Sequence, residues 1–195
     1  MTPTDDAAIA RFRELLQIPT VSRTDESEID WQPFDDFLDA LVRLYPHTHE
    51  TLEREVVDGH SLLYRWPGAQ ASDPLVLMAH LDVVPVVDEE WDHPPFAAEI
   101  VGEGADAAIH ARGAIDDKGA LVAILEAVEQ LVAEGFAPAR DVYLSFGHNE
   151  ETAGEGAQAI VALLTDRGVR PGLVIDEGGA VYDGIIPGVK GLAAA

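Results

Sequence analysis

Three short, mainly apolar runs divide the chain, and each ends in acid or histidine. Residues 75–79 lead into His80-Leu81-Asp82. Residues 142–146 lead into Gly147-His148-Asn149-Glu150-Glu151. Residues 173–175 lead into Asp176-Glu177-Gly178-Gly179. A continuous apolar run of this length reads as a strand buried on both faces of a sheet. In an open α/β sheet, ligands bind at the carboxyl ends of the strands. Three strands would therefore deliver carboxylates and imidazoles to one rim, and this limits both the fold and the chemistry.

Helical spacing fills the intervals. Thr4, Asp5 and Asp6 open a helix on which Ile9, Phe12, Leu15 and Leu16 recur, and Pro19 ends it. A second helix begins near Asp30, with Pro33 in its first turn and Phe34, Phe37, Leu38, Leu41 and Leu44 as its apolar stripe. Residues 47–57 alternate and, with Asp58-Gly59 as the turn and 61–66 as the return, predict a β-hairpin. Leu121, Ile124, Leu125, Val128, Leu131 and Val132 mark an amphipathic helix stopped by Gly135. Ile160, Leu163 and Leu164 mark another, ending at Gly168. Strands alternating with helices predict an α/β fold: a three-layer α/β/α domain around a mostly parallel mixed sheet, covered on both faces.

Charge narrows the partners. Asp and Glu number 36 against 12 Lys and Arg, a net charge of −24, and the only lysines are Lys118 and Lys190. Such a field repels phosphate backbones and anionic membranes, so neither nucleic acid nor membrane is expected as a partner. Cysteine is absent, so disulfides are excluded and any metal site must use histidine and carboxylate. The first residues show no basic segment followed by an apolar run, and no apolar stretch reaches the roughly 18 residues a bilayer span needs. A cytoplasmic protein is the expectation.

The acidic rim calls for a counter-charge. Two unit charges about 4 Å apart repel by roughly 4 kcal/mol at an effective dielectric near 20, which a divalent cation removes. Imidazole and carboxylate donors suit zinc, cobalt or manganese. In His80-x-Asp82, His80 could bind metal through one ring nitrogen while Asp82 holds the other N–H. In Glu150-Glu151, one carboxylate could bind metal while its neighbour takes a proton from water. Arg112-Gly113-Ala114-Ile115-Asp116-Asp117-Lys118-Gly119 is a fourth cluster, placed before the amphipathic helix. Its aspartates could bridge two metals about 3.5–4 Å apart, or simply cap the helix. Asp176-Glu177 could equally be a tight acidic turn. His47, His49 and His60 read as solvated, His110 as packing, and His93 and His148 as neighbours of the site. Trp31, Trp66 and Trp91 read as packing, and Lys118 as a helix-start residue.

Taken together, Met78-Ala79-His80-Leu81-Asp82-Val83-Val84-Pro85, Gly113-Ala114-Ile115-Asp116-Asp117-Lys118-Gly119, Asn149-Glu150-Glu151 and Asp176-Glu177-Gly178-Gly179 resemble the dizinc metallopeptidase family of aminoacylases, acetylornithine deacetylase, succinyl-diaminopimelate desuccinylase and carboxypeptidases G and S. Trp91-Asp92-His93-Pro94-Pro95-Phe96 and Phe146-Gly147-His148-Asn149-Glu150-Glu151 are most similar to the carboxypeptidase S-type branch, which includes N-acyl amino acid hydrolases.

The resemblance implies a zinc-exopeptidase-like catalytic domain holding two divalent metal ions, zinc above cobalt or manganese. His80 and Asp176 would bind one metal, Asp116 would bridge, Glu151 would bind the second, Asp82 would support His80, and Glu150 would be the general base. It implies a cis bond between Asp116 and Asp117. The implied reaction is hydrolysis of a peptide or N-acyl amide bond beside a free carboxylate. A deacetylase or desuccinylase, or a non-catalytic cation-binding domain on the same scaffold, is the alternative. The family adds a late histidine ligand and a lid that dimerises. Residues 1–195 are therefore expected to be the N-terminal portion of the catalytic domain, inactive alone, poorly soluble and lacking that lid.

Overall fold

A computed structural model describes residues 3–86, 91–178, 181–183 and 190–194; Gly179 of the fourth motif lies outside them. The chain runs α1 (Pro3–Leu16), α2 (Gln32–Leu44), α3 (Pro46–Thr51), β1 (Glu53–Val57), β2 (Ser61–Trp66), β3 (Gln70–His80), β4 (Glu99–Val101), β5 (Ala108–His110), α4 (Lys118–Ala133), β6 (Arg140–Gly147), α5 (Glu155–Asp166), β7 (Leu173–Ile175), β8 (Val181–Asp183) and β9 (Leu192–Ala194). Five strands form one sheet in the order β1-β2-β6-β3-β7, and β4-β5 and β8-β9 are separate two-stranded ribbons. In the main sheet, β1, β2 and β6 pair antiparallel while β6, β3 and β7 pair parallel. The sheet is thus evenly mixed, because the β1–β2 hairpin adds antiparallel pairings to the parallel half.

Side-chain alternation separates two cores. Leu62, Tyr64, Trp66, Ala79, Leu144 and Phe146 point to one face, where α1, α2 and α4 bury Leu15, Phe34, Phe37, Leu41, Leu121 and Leu125 against them. Leu63, Val76 and Tyr143 point to the other, covered by Ile160 and Leu164 of α5. Each fully buried Leu or Phe of this kind stabilises the fold by about 1.5–3 kcal/mol relative to exposure. The three expected layers are present, with most of the core on one side.

Two expectations on strands are corrected. Residues 47–51 belong to α3: Pro46 occupies the first turn, and the Glu129 carboxylate accepts the N–H groups of His47 and Thr48. Only 53–57 pair in the hairpin, and its turn places Asp58 and Gly59 at positive φ. The run 173–175 was expected to be buried on both faces. It is instead the sheet edge, with Leu173 58 %, Val174 47 % and Ile175 51 % exposed. Only β3 pairs with it among the described residues. No helix among the described residues is long and apolar enough to cross a membrane.

Candidate metal centre

β3 and β6 are adjacent and parallel, and register sets His80 directly against Gly147. This brings the two motif-bearing loops to the same rim. Backbone bonds pin the segment beyond β3: the Val83 N–H donates to Thr20 O at 2.9 Å, and Thr20 Oγ1 donates to Leu81 O at 2.6 Å. The loop carrying Asp116 is held close to it. Gly113, at φ +80, has no room for a Cβ, which would meet Val83 Cγ1 at 2.8 Å. The bond between Asp116 and Asp117 is cis, as the resemblance implied.

His80 is the buried hub, 1 % exposed. Its Nδ1 lies 3.0 Å from the Asp82 carbonyl and 3.3 Å from Asp82 Oδ1. A carbonyl only accepts, so Nδ1 carries a proton and Nε2 faces the rim. Around Nε2 lie Asp116 Oδ1 at 2.9 Å, Glu177 Oε1 at 3.4 Å and Glu150 Oε2 at 3.8 Å. Two groups of donor atoms lie mutually within 4.8 Å: His80 with Glu150 and Glu177, and His80 with Asp116 and Glu151.

Asp82 is fully buried. Its Oδ1 accepts the Glu150 N–H at 3.0 Å and its Oδ2 the Glu151 N–H at 3.2 Å. The same loop is tied from within. The Asn149 carbonyl accepts the N–H groups of Ala153 and Gly154, and Asn149 Oδ1 accepts the Gly156 N–H at 3.0 Å.

The electrostatics record the crowding of acids. Burial opposes charge on His80, but the carboxylates of Asp82, Asp116 and Glu177 outweigh it and push its pKa up to about 10. Burial, and then Glu177, push Asp117 up to about 6. Burial, then Asp116, raises Glu151, and burial raises Glu177. Protons on these groups neutralise the cluster; a divalent cation would do the same by displacing the Nε2 proton. One imidazole among oxygen donors, with no thiolate, fits zinc, cobalt or manganese.

The structure brings His80, Asp82, Asp116, Glu150 and Glu151 together. It sets Asp176 differently: Asp176 belongs to neither donor group, its Oδ1 accepts the Glu177 N–H at 2.9 Å, and Glu177 faces His80 instead. The resemblance implied Asp176 as the metal ligand beside His80; in this structure it is the adjacent Glu177 carboxylate that lies near His80 Nε2. Asp117 sits at the N-cap position of α4, where its carboxylate accepts the His80 N–H at 3.3 Å. Lys118 is fully buried: its Nζ donates to Ile18 O at 2.6 Å and Leu15 O at 3.2 Å, and lies 4.8 Å from the Phe37 ring centre. His49 and His60, expected to be solvated, are both engaged. His49 bonds Tyr45 O and Tyr64 Oη, and His60 stacks on Trp31 and bonds Asp35.

The sequence pattern of peptidase family M20/M25/M40 matches residues 76–190. The chain belongs to peptidase family M20/M25/M40. Human N-fatty-acyl-amino acid synthase/hydrolase PM20D1 is 39 % identical over 178 residues, covering 90 % of this chain and 34 % of that protein. Probable carboxypeptidase S-like 2 of Dictyostelium discoideum is 36 % identical over 183 residues, covering 91 % and 34 %. The crystal structure of human carnosine dipeptidase 1 superposes with a TM-score of 0.65 at 18 % identity, covering 92 % of this chain and 41 % of that one. The Saccharomyces cerevisiae dipeptidase Dug1p gives 0.68 at 19 %, with the same coverage. This M20 chain spans about a third of the length of the curated relatives it matches. The family is one of hydrolases that generally bind divalent metal ions, and the two donor groups around His80 are candidate places for them.

Proposed function

We propose that this chain is the front part of a catalytic domain that hydrolyses a peptide or N-acyl amide bond next to a free carboxylate, using two divalent metal ions, zinc foremost. The observation that carries this reading is His80 Nε2 held among Asp116, Glu150 and Glu177 at the carboxyl end of β3. Similarity to proteins named as N-fatty-acyl-amino acid hydrolases and carboxypeptidases supports the substrate class.

We assign His80, Asp116, Glu151 and Glu177 as the residues that would hold the metal ions, Asp116 being the carboxylate that the family resemblance implies would be shared between them. When bound, such ions acidify water and polarise a carbonyl. Glu150 is the proton carrier. Its carboxylate is half exposed at the mouth of the cluster, so it can take a proton from the attacking water and return it to the leaving amine. Asp82 keeps His80 Nδ1 protonated, so that Nε2 is the nitrogen left for a cation. It also fixes the backbone of the Glu150-Glu151 turn.

The test is hydrolysis of N-acyl amino acids and dipeptides by the complete metal-loaded protein of which this chain is the front part, beside its metal content. Glu150→Ala is expected to lower turnover by about 10²–10⁴-fold, the usual worth of a general base, with metal content unchanged. Turnover that survives the substitution would remove Glu150 from the role.

A further inference from the structure

On the same rim as the carboxylate cluster, on its β1–β2 side, lies a separate recess of about 290 Å³ walled by Glu26, Trp31, Asp58, Gly59, His60 and His148. It shares no residue with the two donor groups around His80. His148, two positions before Glu150, is its floor.

The recess is built rather than incidental. Trp31 and His60 stack with ring centres 4.7 Å apart and planes 6° apart, and His148 is tilted against both at 5.9 and 6.0 Å. His60 is locked in that stack by Asp35, at 3.1 Å from Nε2. His148 is 4 % exposed. Its Nδ1 is taken by Ser61 Oγ at 2.7 Å, and its Nε2 has no partner among the described residues. Glu26 and Asp58 are exposed at the mouth, and no ion pair engages either among the described residues. Arg23 lines an adjoining smaller recess that shares Trp31 and Glu26 as walls.

Aromatic faces backed by uncompensated carboxylates attract organic cations, through the ring quadrupole and through charge. The same carboxylates repel an anion. We infer that this recess binds an alkylammonium or guanidinium head group, and that it serves as a subsite for a basic side chain on the substrate. Its role as a substrate subsite rests on the hydrolase reading above; its affinity for the cation does not.

The test titrates the 195-residue chain with n-butylguanidinium and n-butylammonium, with uncharged n-butylurea as the control. The readout is the indole N–H signal of Trp31, with Trp66 and Trp91 as internal references. Saturable shifts confined to Trp31 and its neighbours are expected for both cations in the millimolar range, with n-butylurea weaker by about tenfold or more. Glu26→Gln with Asp58→Asn changes only exposed residues, and should weaken the cations by about tenfold while leaving n-butylurea unchanged. Trp31→Ala should abolish binding of all three, read then from His148.

Equal binding of n-butylurea and the cations would reduce the recess to an apolar pocket and overturn the inference. So would the absence of saturation with either cation. Such a failure leaves the Glu150→Ala test untouched, and surviving turnover in Glu150→Ala leaves the titration untouched, so the two readings fail separately.

Discussion

Asp82 Oδ1 accepts the backbone N–H of Glu150 at 3.0 Å while lying 3.3 Å from His80 Nδ1. One buried carboxylate therefore orients the histidine at the end of β3 and the glutamate pair at the end of β6.

Asp82→Asn tests this double role. The amide keeps the shape, but its NH₂ must face either the Glu151 N–H or His80, and neither offers an acceptor there. A loss of about 1–3 kcal/mol in stability is expected from the unsatisfied donors, with metal affinity down by about 10–100-fold. Chemical denaturation and calorimetric metal titration would read the two effects; unchanged metal affinity would leave Asp82 a purely structural acid.

The choice between Asp176 and Glu177 is open to direct test. Glu177 faces His80, whereas Asp176 accepts its neighbour's N–H. Glu177→Gln should weaken metal binding by at least about tenfold, and Asp176→Asn should change it little. The reverse order of effects in the same titration would restore Asp176 as the ligand.

The metal-free protein should show two opposed pH effects on stability. His80 is raised from 6.5 to about 10. Its folded form holds a proton the unfolded chain has lost, so its stabilisation is complete below pH 6.5 and fades as pH rises toward 10. Lys118 is lowered from 10.5 to about 7 by burial. The unfolded chain then binds the extra proton, so stability rises with pH from about 7 toward 10.5. In denaturation with chelator present, His80→Gln should gain stability as pH rises from 7 to about 10. Lys118→Met should lose stability over that range. Parallel slopes in the two variants would refute the opposition.

Gly156 is the second residue of α5, just beyond the loop that carries Glu150 and Glu151. A Cβ there would lie 2.1 Å from Ser61 Oγ, 2.7 Å from His148 Nδ1 and 3.2 Å from Asn149 Oδ1. Gly156→Ala should therefore cost about 1–3 kcal/mol by overpacking. Adding Ser61→Ala, which removes the nearest clash, should recover part of that cost in thermal or urea unfolding. Strict additivity of the two changes would show that the hydroxyl and the glycine do not share the space.

Sequence alone determined the alternation of strands and helices, the three layers and the acidic rim. Those features follow from local periodicity and from the rule that strand ends carry the site: 75–79 and 142–146 could hardly be anything but strands, and their polar sequels had to lie beside each other once the strands paired in register. The tertiary structure decided what depends on distant partners. Residues 47–51 became helix because Glu129 of α4 supplies acceptors for the N–H groups of His47 and Thr48. The 173–175 run is exposed because its place in the sheet is an edge. Lys118 is buried because Leu15 and Ile18 turn their carbonyls toward it from about a hundred residues away. Glu177 rather than Asp176 meets His80 because the backbone turns at the end of β7, and a hydrogen bond between neighbours holds one carboxylate back. Periodicity reports which face a residue occupies, whereas hydrogen bonds and charges act over a few ångströms, and only the folded chain brings those groups that close.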